Sequence, residues 1–318
     1  MTQTDSRWPR QIRYPDPAFE VLDKSFAGYR LDAAAVEQLY NGTRWGEGPV
    51  WIADGRYLLW SDIPNDRVLR WHETTGIVDE FRRPSHFTNG QTRDREGRLV
   101  YCEHLNRRVM RLEHDGSTTI LCDQYNGKRL NSPNDVVVKS DGSIWFSDPT
   151  FGIRGFYEGE KATAELPTYL FRIDGQNGAV SVVADDIIGP NGLAFSPDES
   201  LLYVAETAIQ MRIIRVYDVA ADGKTLTNGR TFVKCLEGER PDGFRVDIDG
   251  NLWCGWGMGE GLDGVRIFNA QAAAIGHIHL PERCANLCFG GRYRNRLFMA
   301  ASTSLYAVYV NTQGVKGG

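Results

Sequence analysis

The chain has 318 residues, of which 42% are hydrophobic and 24% charged, and a formal net charge of −5. This is the composition of an ordinary soluble globular protein with ample core. The acidic balance leaves no basic patch to neutralise phosphates, which argues against nucleic acid as a partner. No apolar run is long enough to span a bilayer, so no membrane partner is expected. The polar opening segment, Met1 to Tyr14, lacks the apolar centre of a secretory leader. A cytoplasmic location is therefore expected, or a periplasmic one if a leader has been removed.

In chain order, residues 1–26 carry Pro9, Pro15 and Pro17 among scattered aromatics and read as an extended arm. Val36 to Tyr40 alternates as a strand, placed before the first repeated unit. In a ring of blades such a strand completes the last blade and removes an open edge. Short helical turns are expected near Ala33–Gln38 and Ala270–Ala274; helical periodicity is otherwise nearly absent.

Six strand-turn-strand units then follow, each opened by an acid or amide in a Gly- or Pro-rich turn. The openers are Glu47, Asn89, Asn134, Asn191, Asp242 and Asn286, at successive spacings of 42, 45, 57, 51 and 44 residues. A recurring unit of this length is that of a propeller blade. Second strands such as Leu58–Ser61, Ile144–Ser147 and Leu252–Gly255 follow turn signals such as Asp141-Gly142 and Asp249-Gly250. The expected fold is all-β: a six-bladed β-propeller with a central metal-binding channel, occupying residues 27–318 as one domain. The third unit carries an insertion from Phe151 to Pro167, readable as a lid or as a plain surface loop.

If each opener begins the innermost strand of its blade, all six gather at one end of the channel. Glu47 and Asp242 then bring two carboxylates, and Asn134 and Asn191 two amide carbonyls. An all-oxygen set suits a hard divalent cation: Ca²⁺ first, with Mg²⁺, Mn²⁺ or Zn²⁺ as alternatives. Four oxygens fall short of the roughly 6 to 8 that Ca²⁺ takes, so room is left for water or substrate. Taken singly, each of these motifs is also an ordinary turn signal. Asn89, Glu103 and His104 are further candidates for contact with substrate hydroxyls, with His86 nearby. Asp148 reads as a turn residue. The six cysteines are irregularly spaced and read as free buried thiols; neither Cys284 with Cys288 nor His277 with His279 has the further ligands of a zinc site.

Trp45-Gly46-Glu47-Gly48-Pro49-Val50-Trp51, Ser132-Pro133-Asn134-Asp135, Pro190-Asn191-Gly192-Leu193 and Arg240-Pro241-Asp242-Gly243 together resemble the signatures of the SMP-30/gluconolactonase/luciferin-regenerating-enzyme-like family. The resemblance runs over roughly residues 36–310. It implies a six-bladed propeller with a divalent cation in its channel and hydrolysis of lactones, sugar lactones included. It implies that Glu47, Asn191 and Asp242 are metal ligands, and that Asn134 binds the metal or the substrate. Ser132 stands where the vertebrate branch has a sugar-contacting arginine, and the match is closer to the bacterial gluconolactonases.

The function expected is metal-dependent hydrolysis of a small-molecule sugar lactone such as glucono-1,5-lactone. Asp242 is the candidate general base, with a metal-bound water as the rival source of the nucleophile. The alternatives are another esterase or phosphotriesterase activity at the same site, or a binding propeller without chemistry. No Gly-x-Ser-x-Gly elbow and no dinucleotide fingerprint occurs, which disfavours a serine esterase and a nicotinamide dehydrogenase.

Overall fold

The structure, a computed structural model, describes residues 13–208 and 212–316; the first twelve residues of the expected arm lie outside this range. Among the described residues the strands form six antiparallel blades, and the fold is a six-bladed β-propeller. Blade one runs Gly46–Ile52, Tyr57–Asp62, Arg67–His72 and Val78–Arg82 from channel to rim. Blades two to five open on Thr88–Arg93, Val136–Val138, Pro190–Phe195 and Arg240–Val246. Blade six opens on Cys284–Gly290 and ends on Glu37–Asn41, which pairs with Ser304–Tyr309. The strand from the front of the chain is thus the outer strand of the last blade. No helix among the described residues is long and apolar enough to cross a membrane.

Within the expected arm, Phe19–Val21 adds a fifth strand to blade five, against Ala274–His279. A short 3₁₀ helix follows at Lys24–Tyr29, with Phe26 fully buried. Neither of the expected helical turns forms as a helix. Gln38 belongs to a strand, and Ala270–Ala273 make a hairpin turn in which the Ala272 amide donates to the Asn269 carbonyl at 2.9 Å.

Strand burial follows position in the blade. Second strands such as Ile144–Asp148 and Leu252–Gly257 are buried at every residue, because both faces meet neighbouring blades. Such strands read as apolar runs rather than as alternation. Outer strands such as Val78–Arg82 and Thr118–Cys122 are partly exposed and mix polar with apolar residues. Aromatic pairs join the blades: Trp51 stacks on Phe298 at 5.5 Å between blades one and six, and Trp145 meets Phe195 edge-on at 5.4 Å between three and four.

The unit openers differ from their sequence reading in one respect. They read as turns, yet five of the six sit inside innermost strands, at a shift of register. The shifts fall between Glu47 and Val50, Thr88 and Gln91, Pro190 and Leu193, Pro241 and Phe244, and Cys284 and Asn286. A bulge of this kind bends a strand and re-aims a side chain. In blade three, Asn134 lies just ahead of the strand, its amide bound to the Ser147 carbonyl at 2.9 Å.

The glycines beside the openers have a steric purpose. A Cβ on Gly90 would lie 2.5 Å from the Asn134 carbonyl oxygen, and one on Gly192 would lie 2.5 Å from that of Asp242. Only glycine lets adjacent inner strands come this close. Gly192→Ala should therefore destabilise the fold by about 1–3 kcal/mol in denaturant titrations, whereas Gly28→Ala, where nothing lies within 4 Å, should be close to neutral.

Candidate active site

The bulges turn Glu47, Asn89, Asn191 and Asp242 toward one mouth of the channel, and Asn134 reaches it from just ahead of its strand. There a cavity of about 500 Å³ is lined from the blades by Glu47, Asn89, Asn134, Asn191 and Asp242. Among the sequence candidates, the structure thus brings together all four expected ligands and Asn89. Trp45, Thr207, Arg240 and Arg283 complete the rim. The third-unit insertion covers one side, through Phe151, Arg154, Tyr157 and Glu158. It is tied down near its start and at its middle. The Gly152 amide donates to Ser132 Oγ at 3.0 Å, Ser132 Oγ donates to the Pro149 carbonyl at 2.6 Å, and Tyr157 Oη reaches the Arg44 carbonyl at 3.4 Å. Ser132 therefore anchors the insertion, directly ahead of Asn134.

Glu47 and Asp242 are both buried. Burial raises the pKa of Glu47 well above the ordinary carboxylate range, and the charges of Asp242 and Asp135 raise it further. Burial also raises Asp242, opposed first by the Arg283 guanidinium and then by a hydrogen bond from Asn191. Arg283 pairs directly with Asp242 and lies 5.6 Å from the Trp45 ring centre. Beneath them, Asn286 accepts the Leu287 amide at 2.8 Å and hydrogen-bonds both Glu47 and Asp135. Burial raises Asp135 too, against the nearby Arg245 at 3.5 Å. Two acids at one buried place favour a cation between them.

The donor set fits a hard divalent ion. Its members are oxygens only, two of them carboxylates, and beside them Asn89 Oδ1 is buried without a hydrogen-bond partner. The described residues hold no group of three or more His, Cys, Asp or Glu suited to a metal, so neither the cysteine nor the histidine pairs noted in the sequence form a centre. All six cysteines are free.

Two candidates lie elsewhere than expected. Glu103 is buried against Arg108 at 2.7 Å and Asn106 at 2.8 Å, outside the cavity lining. It ends its strand opposite Arg108, and the ion pair consumes it. His104 is fully buried behind Asn89. The Asn89 amide nitrogen donates to Nε2 at 3.3 Å, which leaves Nδ1–H to donate to the Glu158 carbonyl at 2.8 Å. His104 thus orients Asn89 and fastens the insertion instead of meeting substrate. His86 also lies outside the lining. Asp148 is more than a turn residue: its carboxylate accepts the Asn131 and Ser132 amides at 2.8 and 2.9 Å and fixes the segment that leads to Asn134.

The residues that sequence reasoning missed are Arg154, Glu158, Arg240 and Arg283. Arg240 and Arg283 stand shortly before the openers Asp242 and Asn286, and that repeated arginine was the available signal. Burial raises Glu158 to about 7, with Asp242 adding to the effect.

Burial lowers His104 from its ordinary 6.5 to about 4, so the folded protein holds it neutral. Between those values the unfolded chain binds the extra proton, and folding stability falls as pH drops from 6.5 toward 4; above 6.5 the contribution is constant. The loss from this residue is on the order of 3 kcal/mol. Denaturant titrations of wild type and His104→Gln from pH 7 to pH 4.5 should show a shallower fall in the variant.

The chain matches the SMP-30/Gluconolactonase/LRE-like region over residues 45–303. A gluconolactonase of Zymomonas mobilis is 28% identical over 315 residues, covering 90% of this chain and 85% of that protein. The structure of a gluconolactonase from Xanthomonas campestris superposes with a TM-score of 0.85 at 38% identity, covering 92% of this chain and 94% of the other. A calcium-binding regucalcin from Agrobacterium tumefaciens shares the fold at a TM-score of 0.70 and 18% identity, over 88% and 94% of the two chains. With the propeller, the four signature motifs and their convergence at one mouth, the match places this protein in the SMP-30/gluconolactonase/LRE-like family.

Proposed function

We propose that this protein hydrolyses a sugar lactone at the channel mouth with the help of one divalent cation, glucono-1,5-lactone being the reference substrate. That it is a lactone-hydrolysing carboxylic ester hydrolase follows from its kinship with gluconolactonases. The observation that carries the metal-dependent reading is the pair of buried carboxylates, Glu47 and Asp242, facing one cavity beside amide groups. Glu47, Asn134, Asn191 and Asp242 would hold the ion. Ca²⁺ is the first choice, given the oxygen donors and the calcium-binding relative. When bound, the ion supplies Lewis-acid polarisation of the lactone carbonyl.

The remaining work falls to the chain. Asp242 takes a proton from the attacking water, whose oxygen forms the new bond to the carbonyl carbon. Collapse of the tetrahedral species breaks the ring C–O bond, and the same proton passes to the departing ring oxygen. The products are the hydroxyl and carboxylic acid ends of the open aldonic acid. Arg283, paired with Asp242, keeps that carboxylate oriented and favours its charged form. Asn89 offers its unpartnered Oδ1 to a sugar hydroxyl. Trp45 and Tyr157 line the space for the ring, and the insertion limits access of bulk water.

Two measurements test this. Glu47→Gln and Asp242→Asn should each lower kcat/KM for glucono-1,5-lactone by at least about 100-fold with the circular dichroism spectrum unchanged. Turnover that persists in either variant contradicts the assignment. Chelator-treated protein should lose activity and regain it on addition of Ca²⁺, Mg²⁺, Mn²⁺ or Zn²⁺; equal rates with and without chelator contradict the metal requirement.

A further inference from the structure

The charges around the cavity do not pair off evenly. Of the three arginines in its lining, Arg283 is committed to Asp242. Arg154, on the insertion, stacks on Phe151 at 4.6 Å, donates to Thr150 Oγ1 at 3.3 Å and lies near enough to Glu158 to favour its charged form, but forms no ion pair among the described residues. Arg240 is less satisfied still: among the described residues its side chain makes neither a hydrogen bond nor an ion pair, and its Nε is buried without a partner. Its charged neighbours are mostly of its own sign. Arg283 lines the same cavity, and the acid two residues along, Asp242, is already paired with Arg283. The Nε atoms of Arg212 and Arg283 are likewise buried and unpartnered. Arg82, Arg172 and Arg296 also bury an unpartnered Nε, but each makes a bond through another nitrogen, Arg82 to Thr88, Arg172 to Asp174 and Arg296 to Glu37, which Arg240 does not.

A cluster of guanidinium groups with orphaned donors is costly unless an anion enters it. The planar fork of arginine suits the oxygens of a phosphate or carboxylate. The cavity also has room beyond its acid and amide groups for a longer substrate. We propose that Arg240 marks a subsite for an anionic substituent, so that the lactone opened here carries a second charged group, a phosphate or a carboxylate, on its carbon chain. Arg240 is thus a binding residue that sets specificity, and the inference rests on the lactonase reading for the rest of the substrate.

Calorimetric binding separates the two ideas, because it needs no turnover. Gluconate, 6-phosphogluconate and glucarate, which differ only at carbon 6, are titrated into wild type, Arg240→Gln and Arg240→Lys at one ionic strength. Tighter binding of 6-phosphogluconate or glucarate than of gluconate by at least about tenfold is expected, and which of the two gains tells phosphate from carboxylate. Arg240→Gln should bring the ligands within about twofold of each other, while Arg240→Lys keeps part of the preference. Equal binding of all three ligands by wild type, no binding of any, or a preference that survives in Arg240→Gln overturns the proposal. Turnover of glucono-1,5-lactone and of its counterparts bearing a phosphate or a carboxylate at carbon 6, by the same wild-type sample, reports separately on the lactonase reading: absence of turnover of all three alongside a charge preference would remove that reading and leave the subsite.

Discussion

The molecule depends on how closely six inner strands approach one another around the channel. At Gly90 and Gly192 the backbone of one blade lies against the carbonyl of the next blade's opener, with no space for a side chain. That proximity is what lets short side chains reach a common point. An Asn or Asp has little length, so a ring even slightly wider would leave Asn134, Asn191 and Asp242 unable to face the same cavity. The bulges add the second requirement by turning Glu47, Asn89, Asn191 and Asp242 out of the alternating pattern and toward the mouth. Packing and site geometry are therefore one property of this fold.

Convergence has an electrostatic cost, and the surroundings are arranged to limit it. Glu47, Asp242 and Asp135 are all buried and all shifted toward the protonated form. Arg283 and Arg245 offset part of that, and Asn286 favours the charged forms of Glu47 and Asp135. A closed, low-dielectric site strengthens whatever charge interaction forms within it. The same conditions that make the acid pair unfavourable by itself would make a cation between them effective, and the insertion held by Ser132 and His104 helps to maintain them.

Much of this was legible in the sequence, for a physical reason. A propeller repeats one packing problem, and repetition leaves a period: the spacing of Glu47, Asn89, Asn134, Asn191, Asp242 and Asn286 revealed both the blades and the lining. The local conformation of those residues was harder to read, because Asn-Gly and Pro-Asp-Gly signal turns by backbone preference, while here glycine is required by contact with another blade. Glu103 and His104 were misplaced because a strand end does not disclose its partners: Arg108 takes the first, and Asn89 with Glu158 takes the second. Arg154 and Glu158 were out of reach because loop composition does not say where a loop folds back. Arg240 and Arg283 were within reach, standing just ahead of two openers, but arginine carries no turn signal and is no ligand for a hard cation, so the pattern of openers gives it no role.

The seam of the ring has a consequence for how the protein is made. Blade six is completed by Glu37–Asn41, and Gln38 hydrogen-bonds Ser304 across a separation of 266 residues. Such a long-range pairing bears a large loop-closure entropy before any contact rewards it, and it slows folding. During synthesis the first blades have all their strands early, but the circle stays open until Ser304–Tyr309 leaves the ribosome. Until then, the outer edge of an early strand and the inner face of blade one are both uncovered, which makes the nascent chain prone to wrong partners. Once shut, the same clasp works in reverse: opening the ring requires both ends of the polypeptide to part together, which favours slow unfolding.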